Sequence, residues 1–200
     1  MIRFLFKLII CLLLAAALGI GLLAWRSGDS LYTLYEWLSP AHFQQYDALI
    51  RGAALPNELD PMLVKAVVWR ESRFDPQKFG AAGERGLMQV SEIAAQEWAR
   101  QTHRENFVVE ELFDPKTNLA AGCWYLRRAM DHWKAQSDPT PFALAEYNAG
   151  PSRALRWAGG EGARTIPASD FRRNIDFPGT RKYVELILLR YRFYQDRGRM

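Results

Sequence analysis

The chain has 200 residues, 49% of them hydrophobic and 13% aromatic, and a formal net charge of +4. That length suits one compact domain of catalytic size with a tail or anchor and is short for two full domains, and the composition excludes a disordered chain. The mild positive charge fits any polyanion and selects none, because acidic and basic residues interleave, as in "RRAMDHWK" from residue 127, the pattern of a solvated helix face.

The first thirty residues place Arg3 and Lys7 ahead of an uncharged run from Leu8 to Trp25, closed by Arg26, Ser27, Gly28 and Asp29. At 1.5 Å per residue such a run covers roughly 27 Å, enough for a thin bilayer core. The leading cations orient the N-terminus inward and the remainder outward. A small-residue stretch, Ala15 to Ala17, also suits a cleaved signal peptide. The apolar run continues past it to Trp25, which favours an uncleaved anchor through residues 8–25. Under either reading the rest is exported. Cys11 lacks the small preceding residue of a lipid acceptor, and with Cys123 as its only counterpart no disulfide framework is implied.

Past the anchor, residues Phe43, Tyr46, Leu49 and Ile50 predict a short helix stopped by Gly52 and Pro56. Asp60 as cap and Pro61 at the first turn predict a second helix, on which Leu63, Val67 and Glu71 form one apolar stripe. A glycine- and proline-rich loop, with room for a small hairpin, runs from Phe74 to Gly86. Ser91 caps the next helix, and Asp114 or Thr117 starts a longer one carrying Leu119, Trp124, Leu126, Met130 and Trp133. Pro141 opens "PFALAEYNAG", which Gly150 and Pro151 end, and Thr180 opens the last helix. No alternating β-branched run of useful length appears, so the fold class is mainly α.

Glu71 is the residue that raises a chemical question. A carboxylate on an apolar face is costly when ionised, and the helix C-terminus disfavours negative charge as well. Both effects predict a neutral acid near pH 7, which suits protonation of a glycosidic oxygen. The plainer alternative is a core glutamate neutralised by Arg70 or Arg73.

The segments "ESRFDP", "GLMQV", "NLAAGCWYL", "ALAEYNAGP" and "TRKYVELIL", in this order, resemble the Slt-type lytic transglycosylases, grouped as glycoside hydrolase family 23 with goose-type lysozymes. The resemblance covers about residues 44–194. It implies a lysozyme-like helical domain over residues 28–200, preceded by a transmembrane segment over residues 1–27. It also implies cleavage of the β-1,4 bond between N-acetylmuramic acid and N-acetylglucosamine in peptidoglycan, without water, leaving a 1,6-anhydromuramic end. The catalytic glutamate of the family falls on Glu71, and Ser72 matches the serine that follows it. Met88 and Gln89 match substrate-groove residues, Tyr147 and Asn148 match a Tyr-Asn-Ala-Gly motif, and Tyr183 matches a tyrosine close to the acid.

Two-carboxylate glycosidases hold their acids about 5–9.5 Å apart. The matching motifs supply no second acid, and the resemblance implies that the N-acetyl group of the substrate takes its place. This chain departs from the family pattern after Gln89, at Glu146, where a small residue is common, and at Gly179, where a glutamate is frequent. Glu84 and Glu146 keep a hydrolytic, goose-lysozyme-like outcome open, since an added carboxylate can hold a water. A third reading is a non-catalytic wall-binding or assembly domain. No metal is implied, since His42, His103 and His132 show no ligand spacing, and neither a nucleotide cofactor nor a nucleic-acid partner is suggested. The expected partners are peptidoglycan strands and the inner membrane, with the catalytic part in the periplasm.

Overall fold

The structure, a computed structural model, describes residues 2–26, 29–160 and 165–198. It divides into two compact units, Met1–Phe43 and Gln44–Met200. The domain boundary expected at residues 27 and 28 falls outside the described residues.

In the first unit, α1 (Ile2–Arg26) is one continuous helix whose stretch Arg3–Leu22, with mean hydropathy 2.6, is long and apolar enough to cross a membrane. A second helix, α2 (Ser30–Leu38), follows a run of polar residues. Its cap is Asp29, whose carboxylate accepts the Tyr32 N–H at 3.1 Å. Phe43 is buried edge-on against the rings of Tyr32 and Tyr35, and it lies on the short α3 (Pro40–Gln44).

Among the described residues the second unit is built of helices joined by loops. It comprises α4 (Asp47–Ala54), α5 (Pro61–Glu71), α6 (Glu92–Gln101), α7 (Pro115–His132), α8 (Thr140–Ala149), α9 (Pro151–Trp157), α10 (Ala168–Asn174) and α11 (Pro178–Arg197), with 3-10 turns at Leu55–Asn57 and Val109–Phe113. The expected caps operate at α5, α6 and α7, where Asp60, Ser91 and Asp114 accept the N–H groups of Met62, Ala94 and Thr117. Thr117 is therefore inside the helix that Asp114 starts. Three other ends differ from expectation. Gly52 lies within α4, because the buried Ile50 and Ala54 on either side hold the turn against its low propensity. Pro151 opens α9 rather than only ending α8, since proline suits a first turn. The last helix begins at Pro178, two residues before Thr180.

The core centres on α5. Every residue from Leu63 to Trp69 is buried, so this helix has no wet face, in contrast to the single stripe expected. Even Lys65 is enclosed, its ammonium 2.6 Å from the Asp47 carboxylate on α4. The main partner of α5 is α11, which also packs on α8, and α8 packs on α7. Trp69 receives the guanidinium groups of Arg73 and the fully buried Arg190 of α11, at 4.0 and 4.2 Å from ring centroids. Of the seven tryptophans, Trp69, Trp98, Trp133 and Trp157 are core residues.

Between α5 and α6 the chain forms a loop with two isolated bridges, Phe79 to Arg85 and Arg85 to Val90, and no strand among the described residues. It enters through two left-handed residues, Arg73 (φ 58°) and Phe74 (φ 64°). Such a conformation costs roughly 1–2 kcal/mol for a non-glycine residue. Complete burial of Phe74 contributes about 1.5–3 kcal/mol and offsets it.

The far end of the loop is held by Asn118, a fully buried residue of α7. Its amide nitrogen donates to the carbonyls of Arg85 (2.7 Å) and Leu112 (2.8 Å), and its oxygen accepts the Met88 N–H at 2.7 Å. One turn further along α7, a Cβ on Gly122 would come within 2.5 Å of the Met88 sulfur. Gly86 has φ +74°, and a Cβ there would lie 2.3 Å from the Leu112 carbonyl oxygen. Asn118→Ala therefore strands two buried backbone groups, the Met88 N–H and the Leu112 carbonyl, at about 1–3 kcal/mol each, while the Arg85 carbonyl keeps the Val90 N–H at 3.0 Å. Urea unfolding of the chain in detergent should show a loss of about 2 kcal/mol or more, and a loss below about 1 kcal/mol would mean the loop is held by other bonds.

Candidate active site

Glu71 is the last residue of α5, at the point where the buried helix reaches a groove of about 720 Å³. Arg70 and Glu71 come from α5, and Lys78, Gly80, Ala81, Ala82, Glu84, Gln89, Val90 and Ser91 from the loop. The remaining wall is Ala94 of α6, Tyr125 of α7, and Tyr147, Asn148 and Gly150 at the end of α8.

The carboxylate of Glu71 accepts a 2.6 Å hydrogen bond from the Tyr183 hydroxyl on α11. Burial, the largest influence, pushes the Glu71 carboxyl up to about 7; the Tyr183 bond, then Arg70 and Lys78, pull it down, and Glu84 pushes it up. Tyr183 is itself buried, and burial followed by the Glu71 charge holds its hydroxyl well above the ordinary tyrosine value. It therefore keeps its proton and acts as donor. The two candidate neutralising arginines face aromatic rings, Arg70 over Tyr183 at 5.5 Å and Arg73 over Trp69.

The other expected site residues fall into two groups. Tyr147 and Gln89 line the groove directly. The Tyr147 hydroxyl donates to the Met88 carbonyl at 2.9 Å, and its ring meets Tyr125 edge-on. Gln89 adopts a left-handed φ of 48° and donates through its amide to the carbonyls of Lys78 and Gly86, both at 3.0 Å. Asn148 also lines the groove, and its amide oxygen accepts the Thr180 hydroxyl at 2.8 Å, tying α8 to the start of α11. Met88 and Ser72 lie behind the surface. Met88 packs a fully buried side chain against Gly122, and its hydrogen bonds to Asn118 and Tyr147 are made by its backbone. Ser72 is buried and turns its hydroxyl back to the Val68 carbonyl at 3.2 Å.

The two additional carboxylates considered from the sequence separate here. Glu84 lines the groove. Glu146 is buried on another face of α8, where it accepts bonds from Trp133 Nε1 (2.8 Å) and lies 2.7 Å from His132 Nδ1. It is thereby removed as a water holder in the groove, and His132 is accounted for by the same contact.

Sequence reading missed Lys78, Asn118 and Tyr125. Lys78 donates from its ammonium to the Glu71 backbone carbonyl, satisfying a helix-terminal acceptor where a cation is favoured. A lone lysine in a loop carries no periodic signal. Asn118 did leave one, since it sits four residues before Gly122, hence on the same face of α7, among apolar neighbours.

A family model described as the transglycosylase SLT domain matches residues 48–168. The soluble lytic murein transglycosylase of Salmonella typhimurium is 28% identical over 163 residues, which is 81% of this chain and 25% of that protein. The membrane-bound lytic murein transglycosylase F of Desulfosudis oleivorans is 33% identical over 109 residues, 53% of this chain and 22% of that protein. The chain thus spans about a quarter of the length of these curated relatives. Among solved structures, the 70 kDa soluble lytic transglycosylase of Escherichia coli superposes with a TM-score of 0.72 at 25% identity, over 88% of this chain and 28% of that one. The mainly helical, lysozyme-like architecture expected from the sequence is shared with it. Because the model covers more than half of the 200 residues, and the groove is built from the matched segments, the chain belongs to the transglycosylase SLT domain family.

Proposed function

We propose that this chain is a membrane-anchored lytic transglycosylase that cleaves the β-1,4 bond between N-acetylmuramic acid and N-acetylglucosamine in peptidoglycan. The observation that carries the reading is the Glu71 carboxyl, facing the groove, bonded to Tyr183 and holding its proton up to about pH 7. The names of the relatives, lytic murein transglycosylases both soluble and membrane-bound, support the same substrate.

With Tyr183 donating to Oε1, the proton of neutral Glu71 resides on Oε2. Glu71 passes it to the glycosidic oxygen as the bond to the muramyl C1 breaks. The resulting carboxylate takes the proton of the muramyl 6-hydroxyl, whose oxygen closes on C1. One bond is broken and one formed, the proton count balances, and no water enters. Gln89, Tyr147 and Asn148 shape the groove around the strand, while Ser72 and Met88 support it from behind.

The segment Arg3–Leu22 supports anchoring of α1 in the inner membrane, and Arg3 and Lys7 at its start support a periplasmic catalytic unit. The lytic transglycosylase domain is accordingly taken as residues 28–200, with its motifs in the compact unit from Gln44.

Mass spectrometry of peptidoglycan digested by the chain should show anhydro-muropeptides. Reducing-end muropeptides would instead establish hydrolysis, with Glu84 the groove carboxylate available to a water. Glu71→Gln should lower turnover by about 10²-fold or more. No change in that variant would remove Glu71 as the acid.

The pH dependence has a definite sign. The protonated acid starts the reaction, so the rate should fall as pH rises through about 7. Stability follows the same proton. The folded chain keeps it up to about pH 7, while the unfolded chain releases it near 4.5, so the stability it contributes is complete below 4.5 and lost by the time pH has passed 7. Glu71→Gln has no such loss. It should match the unmutated chain near pH 4 and be more stable by about 3 kcal/mol above pH 8 in denaturant melts, and a constant difference across that range would contradict the burial argument.

A further inference from the structure

Lys78 and Glu84 place opposite charges on one loop, and both line the groove with Glu71. Each is fastened by backbone groups of the loop or of the helix end before it. The Lys78 ammonium donates to the Glu71 carbonyl, and the Lys78 carbonyl accepts the Gly86 N–H at 2.9 Å and the Gln89 amide at 3.0 Å. The Glu84 carboxylate accepts the Ala82 N–H at 3.1 Å, and its carbonyl accepts the Gly80 N–H at 2.7 Å. Gly80 is so close that a Cβ there would lie 2.2 Å from the Glu84 carboxylate.

The groups facing Glu71 come from four elements. Arg70 belongs to its own helix, Tyr183 to α11, Tyr147 to α8, and Lys78 and Glu84 to the loop. The two tyrosines are held protonated by burial, and Arg70 lies over the Tyr183 ring. The loop therefore supplies one cation and one anion to an acid that must be neutral in the first half of the reaction and charged in the second. An ammonium favours the charged form and a carboxylate the neutral one, and both act strongly in a partly desolvated groove.

We propose that Lys78 and Glu84 are positioning residues that set the proton affinity of Glu71 in opposite senses, so that the loop determines the pH at which the acid both gives and retakes its proton. The inference rests on Glu71 being the acid. Lys78 stabilises the carboxylate left after the glycosidic oxygen is protonated, and Glu84 favours the return of the proton from the 6-hydroxyl.

The test compares pH–rate profiles of the full chain in detergent with those of Lys78→Met, Lys78→Arg and Glu84→Gln, each paired with a carbon-13 NMR titration of the Glu71 carboxyl. Lys78→Met should move the alkaline limb and the titration upward by about one pH unit, and Glu84→Gln should move both downward. Lys78→Arg, which keeps the charge, should stay near the unmutated values. A loop that merely braces the groove would lower the rate in both neutralising variants without moving either midpoint. That outcome, or shifts in the same direction, overturns the proposal. Glu71→Gln run alongside separates the two claims: full activity there removes the acid assignment, whereas lost activity there with unmoved midpoints elsewhere removes only the role of Lys78 and Glu84.

Discussion

The complete burial of α5 is the constraint on which the second unit depends. A helix enclosed from Leu63 to Trp69 needs cover on every side, and α11, α4 and the loop after Glu71 provide it. The cover brings Tyr183 within 2.6 Å of Glu71 across 112 residues of sequence. The acid thus owes its position to the core. Its carboxyl emerges where the helix runs out of core, enclosed enough for desolvation to outweigh the nearby cations and still reaching the groove.

The loop wall poses a different problem, because twenty residues without strands have backbone groups to satisfy. Asn118 answers much of it with one buried carboxamide that serves Arg85, Leu112 and Met88. Gly86 and Gly122 let the loop and α7 approach closely enough for those bonds to form. Met88 is the consequence: its side chain fills the space over Gly122 while its carbonyl accepts from Tyr147 at the groove. A residue can therefore belong to a site motif and serve it from the core side.

Much of this was legible in the sequence, and the remainder has physical reasons for being hidden. Asp60, Ser91 and Asp114 announced their helices because capping is a local interaction between neighbours. Glu71 was legible from its spacing to Leu63 and Val67, and the left-handed turn after it was not, because its cost is met by the burial of Phe74. Helices α2 and α10 escaped notice because each buries a single side chain, Thr33 in α2. The seven residues of α10 bury only Phe171, which gives no period to read. Glu146 shows the limit most sharply. It adjoins Tyr147, yet successive helical residues point about 100° apart, so one side chain reaches the groove and the other reaches His132 and Trp133.

In the proposed mechanism a single carboxyl first donates and then accepts a proton, and it cannot be optimised for either act alone. Strong burial without compensation would hold the proton too tightly to give it up, and a fully paired carboxylate would never hold it near neutral pH. Around Glu71 the two tendencies are combined from separate sources: the core supplies desolvation, Tyr183 supplies one hydrogen bond to the charged form, and Arg70 and Lys78 supply positive charge at the rim. The balance falls at about 7, near the pH at which transfer in both directions is most efficient. Because those influences come from α5, from the loop that follows it and from α11, 112 residues away, all three must be packed together before Glu71 acquires the proton affinity that the proposed chemistry needs.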